Sequence, residues 1–168
     1  MRTGLELHLH SPATDAPDLS AFGRFVGEWD LEWHGSTDDG RPVSGPGRCA
    51  FGWVLAGSAI QDVWNVPPVA PGDTGIAGRG FHGSTLRFRD ATIDAWQTVW
   101  IEPINRRIRS FIGKEQPDGI VLISTDGTPH LRWSFRDIET ASFTWVGESS
   151  NDNGHTWVEN ERIMAVRR

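Results

Sequence analysis

Two aspartates stand among tryptophans in this chain, and chemistry is sought there first. Asp62 lies in SAIQDVWNV (58–66), two residues before Trp64, and Asp94 lies in IDAWQTVWIE (93–102), ahead of Trp96 and Trp100. Alternate residues of an extended chain share a face. Asp62 then sits beside Ile60 and Trp64, and Asp94 beside Trp96, Thr98 and Trp100. If the indoles face inward, both carboxylates go with them. A buried carboxylate without a partner costs on the order of several kcal/mol. Each therefore needs water, an arginine or a ligand, and Arg109, on the same face as Phe111, is the partner the pattern offers. Burial would also shift such carboxyls and suit them to acid–base work.

The other reactive residue types are sparser. His82 shares a face with Ser84, Leu86 and Phe88, so it is expected inside, as an acid–base group or an axial ligand. Ser84 near His82 makes no triad, because no third group is placed by the sequence. His8-x-His10 has a metal-ligand spacing but falls in an N-terminal tail that offers no supporting shell. Cys49 is alone and excludes an intrachain disulfide, which fits a reducing compartment. Its neighbour Arg48 points to the opposite face, so nothing activates the thiol. No phosphate loop, zinc spacing or dinucleotide fingerprint is present. Ser150-x-Asp152-x-Gly154-x-Thr156-Trp157 resembles the Asp-box, a hairpin turn of sialidases and other β proteins. Its residue types hold a turn and supply no nucleophile–base pair.

These groups must be positioned by strands. Leu19, Phe22, Phe25 and Val26 in DAPDLSAFGRFVG form one apolar stripe, predicting a single short helix that Gly27 stops. After it, about ten short apolar stretches follow, separated by turn signals such as Asp39-Gly40 and Pro117-Asp118-Gly119. No second helix is expected. Such spacing suggests an all-β fold, a barrel or a sandwich, and an antiparallel up-and-down barrel of about ten strands is expected, since closure removes sheet edges and in-strand glycines suit sharp curvature. In 130–138 Trp133 and Phe135 oppose Arg132 and Arg136, and in 141–149 Phe143 and Trp145 oppose Thr144 and Val146. The aromatic sets are expected to face the interior.

Composition narrows the function. The chain has 168 residues, 9 Trp, 8 Phe and no Tyr, enough for one domain over 15–168 after a loose tail over 1–14. A formal charge of −6 without a basic stripe argues against nucleic acid. No apolar run is long enough for a signal peptide or a membrane-spanning helix, so a soluble cytoplasmic protein is expected.

Gly27-x-Trp29 after a short helix is similar to the opening of lipocalin-like (calycin) barrels. With WVLAGSAIQDVW, STLRF, DAWQTVWIEP, RWSFRDI, SFTWVGE and NGHTWVENERIMAVRR, residues 18–168 resemble a bacterial lipocalin-like branch of largely unassigned function. That resemblance implies a roughly ten-stranded barrel around a cavity for an apolar or amphipathic ligand. Nitrobindins, a related group, bind haem through a histidine, and here EWDLEWHG departs from their opening.

The expected function is thus binding of a small, mostly apolar molecule, with Asp62, Trp64, His82, Asp94, Trp96, Trp100, Arg109, Trp133 and Trp145 as contacts. No metal or cofactor is required. One alternative is an isomerase- or cyclase-type enzyme using Asp62, Asp94 or His82, and another is haem binding through His82, His130 or His155. Ile93, Val99 and Ile101, left on the outer face, motivate a homodimer.

Overall fold

The structure, a computed structural model, describes residues 18–168. The expected tail, His8, His10 and the start of the predicted helix lie outside the described residues. The helical segment is one turn, α1 (Ser20–Gly23), with Asp18 accepting the Ser20 N–H at 2.8 Å. It buries Leu19, Phe22 and Phe25, as the stripe predicts. The periodic residues beyond Gly23 continue as turns rather than helix, because the chain must swing into the first strand at Gly27.

Ten strands follow: β1 (Gly27–Ser36), β2 (Pro42–Val54), β3 (Ala59–Val66), β4 (Phe81–Asp90), β5 (Ala95–Glu102), β6 (Arg107–Gln116), β7 (Gly119–Ser124), β8 (His130–Arg136), β9 (Ser142–Ser150) and β10 (Val158–Arg167). Each pairs antiparallel with its sequence neighbours, and β1 pairs with β10 to close the barrel. Contrary to the expectation of a single helix, residues 76–79 form a second short one, α2 (Ile76–Arg79), inside the β3–β4 connection. Among the described residues no helix is long and apolar enough to cross a membrane.

The Gly27-x-Trp29 opening has a steric cause. Gly27 has φ +132°, and a Cβ there would lie 2.7 Å from Nη1 of Arg167. That guanidinium sits 4.1 Å above the Trp29 ring and donates to the carbonyls of Val26, Arg24 and Thr140 at 2.9, 2.7 and 3.0 Å. Trp29 Nε1 donates to the Phe25 carbonyl at 2.7 Å. The last strand thereby fastens the α1 segment across one end of the barrel. Phe22 and Phe25 plug that end: Phe22 meets Trp96 at 4.8 Å, and Phe25 meets Phe143 at 4.9 Å.

The Ser150–Trp157 motif is a turn. Gly154 N–H donates to Ser150 Oγ at 2.8 Å, and Thr156 donates to Asp152 through its N–H at 2.8 Å and its hydroxyl at 2.6 Å. The Thr156 hydroxyl and then its N–H hold the Asp152 carboxyl down at about 2.

Candidate functional site

The open end of the barrel, opposite α1, leads into an inner chamber of about 60 Å³, room for about four waters. Its wall is an arc of rings from five strands. Trp64 lies 6.3 Å from Trp145, Trp145 lies 5.5 Å from Trp133, Trp133 lies 5.7 Å from Trp100, and Trp100 lies 6.3 Å from Phe81. These rings are brought this close by small residues beside them: a Cβ at Gly83 would stand 2.4 Å from the Trp100 ring, and one at Gly147 2.6 Å from the Trp145 ring. Outside the chamber an outer vestibule of about 240 Å³ shares Ile76, Trp100, Arg107, Trp133 and Glu161 with it. The two form one continuous site.

Arg87 forms part of the inner wall and is 2% exposed. Its Nη2 is paired with Asp62 Oδ2, and Asp62 Oδ1 accepts the Thr85 N–H at 2.9 Å. Burial pushes the Asp62 carboxyl up from its ordinary range, and the Arg87 charge offsets part of that. The guanidinium carbon lies 4.3 Å from the Phe22 ring centre, so the cation rests on the plug. Arg87 Nε and Nη1 are buried and have no partner among the described residues.

Two carboxylates stand nearer the mouth. Glu102, 1% exposed, accepts the N–H groups of Ile104 and Asn105 at 2.8 and 2.9 Å and so fixes the β5–β6 turn. Asn105 Nδ2 in turn donates to the Gly80 carbonyl at 2.9 Å, fastening that turn to the end of α2. Glu161 faces inward in plain alternation with Ile163 and Ala165, opposite Gly147, and a β-bulge just before it sets Glu159 opposite Glu148 on the outer face. Burial pushes the Glu161 carboxyl up, while the hydrogen bond from Trp33 Nε1, 2.8 Å from Oε2, and the Arg107 charge pull it down.

The nine residues named from sequence separate into distinct groups. Trp64, Trp100, Trp133 and Trp145 line the inner chamber. Trp96 is 1% exposed and packs on Phe22 as part of the plugged end. Asp62 lies behind Arg87, not on the chamber wall. Arg109 faces the vestibule only, with Nη1 3.5 Å from the Asp126 carbonyl, and pairs with neither aspartate. Asp94 does not extend β5 inward; it is a turn residue with φ +51°, its side chain 88% exposed and paired with Arg89. His82 faces outward. The β3–β4 register sets Asp62 opposite Thr85 and Trp64 opposite Gly83, so Phe81, Gly83, Thr85 and Arg87 take the inner face. His82, Leu86 and Phe88 are left outside. Apolar content misleads on β4 because its outer face carries Leu86 and Phe88 while its inner face carries Arg87.

Arg87 and Glu161 escape the sequence reading, yet each has a signal. An inward Asp62 calls for a cation on the next strand, and Glu161 stands two and four residues before the apolar Ile163 and Ala165. His82, His130 and His155 all lie off the chamber wall, and His155 is exposed in the Asp152 turn. None offers an axial imidazole to a haem in the hollow, so the residues present do not fit that group. Among the described residues no cluster of three or more His, Cys, Asp or Glu could hold a metal.

A closed ten-stranded antiparallel barrel with one end plugged by a short helix is the architecture of a lipocalin/calycin-like barrel. Solved structures agree. The chain is similar to Rv2717c from M. tuberculosis, with a TM-score of 0.60 and 15% identity over 91% of this chain and 98% of that one. It is also similar to the S-type phycobiliprotein lyase CPES from Guillardia theta, with a TM-score of 0.54 and 11% identity over 88% of this chain and 90% of that one. Both likenesses are of fold. By sequence, the chain matches no family model and no curated protein.

Proposed function

We propose that this barrel binds a small apolar or amphipathic molecule in the inner chamber and vestibule. The observation that carries the reading is the arc of Trp64, Trp145, Trp133, Trp100 and Phe81 around a hollow open at one end. A purely structural core would close both ends. The inner chamber is narrow, so the ligand is slim where it enters and keeps its bulk in the vestibule. Barrel proteins of this shape include a phycobiliprotein lyase, which is consistent with a pocket that receives an organic molecule. The test is native mass spectrometry and tryptophan quenching against a panel of aromatic and aliphatic molecules, charged and neutral. Binding should be saturable and lost in Trp133→Ala. A panel without a single saturable binder overturns the reading.

A second reading, an enzyme of isomerase or cyclase type in the same pocket, is favoured by Glu161 rather than by the residues first nominated. Glu161 is a carboxyl at the junction of chamber and vestibule, pushed up by burial. Its test is turnover of a bound compound that Glu161→Gln abolishes while binding persists.

The homodimer reading rests on the outer face of β4–β7, where Leu86, Phe88, Ile101, Ile108 and Ile123 are 36–67% exposed. Ile101 pairs directly with Ile108, and Ile112 with Ile123, so the patch is contiguous. Buried, solitary Cys49 is consistent with a cytoplasmic setting.

A further inference from the structure

We propose that Arg87 is an anchor for a carboxylate on the bound molecule, an inference that rests on the binding reading above and names the chemical class of its ligand. A guanidinium carries five N–H donors in a planar fork. Asp62 takes one of the two hydrogens on Nη2, and nothing among the described residues takes those on Nε and Nη1. Whichever Nη2 hydrogen Asp62 uses, one complete two-donor edge of the fork is left. A paired-oxygen acceptor matches such an edge.

Arg87 lines the chamber, and the groups around it among the described residues do not complete its fork. One face of the cation lies on Phe22, with Phe51 and Phe135 at 5.6 and 5.9 Å from the guanidinium carbon. Asp62 cannot turn to cover more of the fork, because its other oxygen is committed to the Thr85 N–H. The remaining carboxylates of the hollow are also committed: both Glu102 oxygens hold the β5–β6 turn, and Glu161 Oε2 holds Trp33. Charged donors buried without acceptors are costly, and an arriving carboxylate removes that cost. Arg107, on the wall of the same chamber, provides a second cation to offset the Asp62 charge. The chamber's size selects a slim acid whose carbon skeleton lies among the four indoles. Flat aryl carboxylates of the cinnamate type are the simplest molecules of that description.

The experiment is calorimetric titration of the full chain with cinnamate, cinnamamide and cinnamyl alcohol, which share a skeleton and differ in the head group. Cinnamate should bind at least about tenfold more tightly than either neutral analogue. In the double variant Asp62→Leu/Arg87→Met, which leaves no charge of the pair unpartnered, the three should bind alike. Equal affinities in the native protein overturn the proposal, as does an acid preference that survives in the double variant. The comparison within the native protein needs no variant to fold. If none of the three binds while neutral members of the wider panel do, the carboxylate anchor falls and the binding reading stands. If nothing in the panel binds, the binding reading itself falls.

Discussion

Removing either partner of the Asp62–Arg87 pair should damage stability far more than removing both. Their side chains are 0% and 2% exposed, so neither charge can turn to solvent when its partner is lost. Breaking such a pair costs about 3–5 kcal/mol, against a total stability of about 5–15 kcal/mol for a domain. At about 2–4 °C per kcal/mol for a chain of this size, Asp62→Asn or Arg87→Met should lower Tm by roughly 6–20 °C. Asp62→Leu/Arg87→Met exchanges the pair for apolar groups that the surrounding Phe22, Phe51 and Phe135 can accept, and it should recover most of that loss. Arg87→Met carries a further signature. Burial already raises the Asp62 carboxyl, and without the arginine nothing cationic in contact pulls it back. The folded variant then holds a proton that the unfolded chain has released, so its stability falls as pH rises from about 4 through the raised folded value. Urea titration followed by tryptophan fluorescence, repeated across pH, measures both effects. Single variants within about 1 kcal/mol of the native protein, or a double variant no better than the singles, would refute the reasoning.

Three further outcomes follow from other parts of the fold. Arg167→Met should cost about 2–3 kcal/mol by releasing three carbonyls and the Trp29 ring, with thermal melts as the readout. The Asp152 turn contributes stability that is fully present above the ordinary aspartate value near 3.8 and is lost as pH falls toward about 2; Asp152→Asn should flatten the acid limb of the stability profile. Light scattering should report a dimer, and Ile101→Lys/Ile108→Lys should convert it to monomer without changing Tm by more than about 1–2 °C, because both side chains are at least 49% exposed.

Much of the barrel was legible without coordinates. Turn chemistry and period-2 alternation gave about ten strands and put Ile60, Asp62 and Trp64 on one inner face. Trp133 and Trp145 could be read inward because their strands oppose large rings to charged or small residues. The same reasoning failed on β4, where the inner face carries glycine, threonine and arginine while leucine and phenylalanine face out. Periodicity reports only which residues share a face; it gives no sign when the two faces are similarly apolar. The sign on β4 comes from pairing with β3, a contact between residues distant in the chain, such as Asp62 and Thr85.

The sequence by itself determined that there are about ten strands and that the interior is aromatic, since these follow from local turns and alternation; it favoured closure, which the pairing of β1 with β10 then decided. Only the tertiary structure decided what the polar groups do. It joined Asp62 to Arg87 and left Asp94 and His82 outside. Such placements depend on strand register, which local composition does not encode but which decides whether a charge meets a partner, a ligand or water.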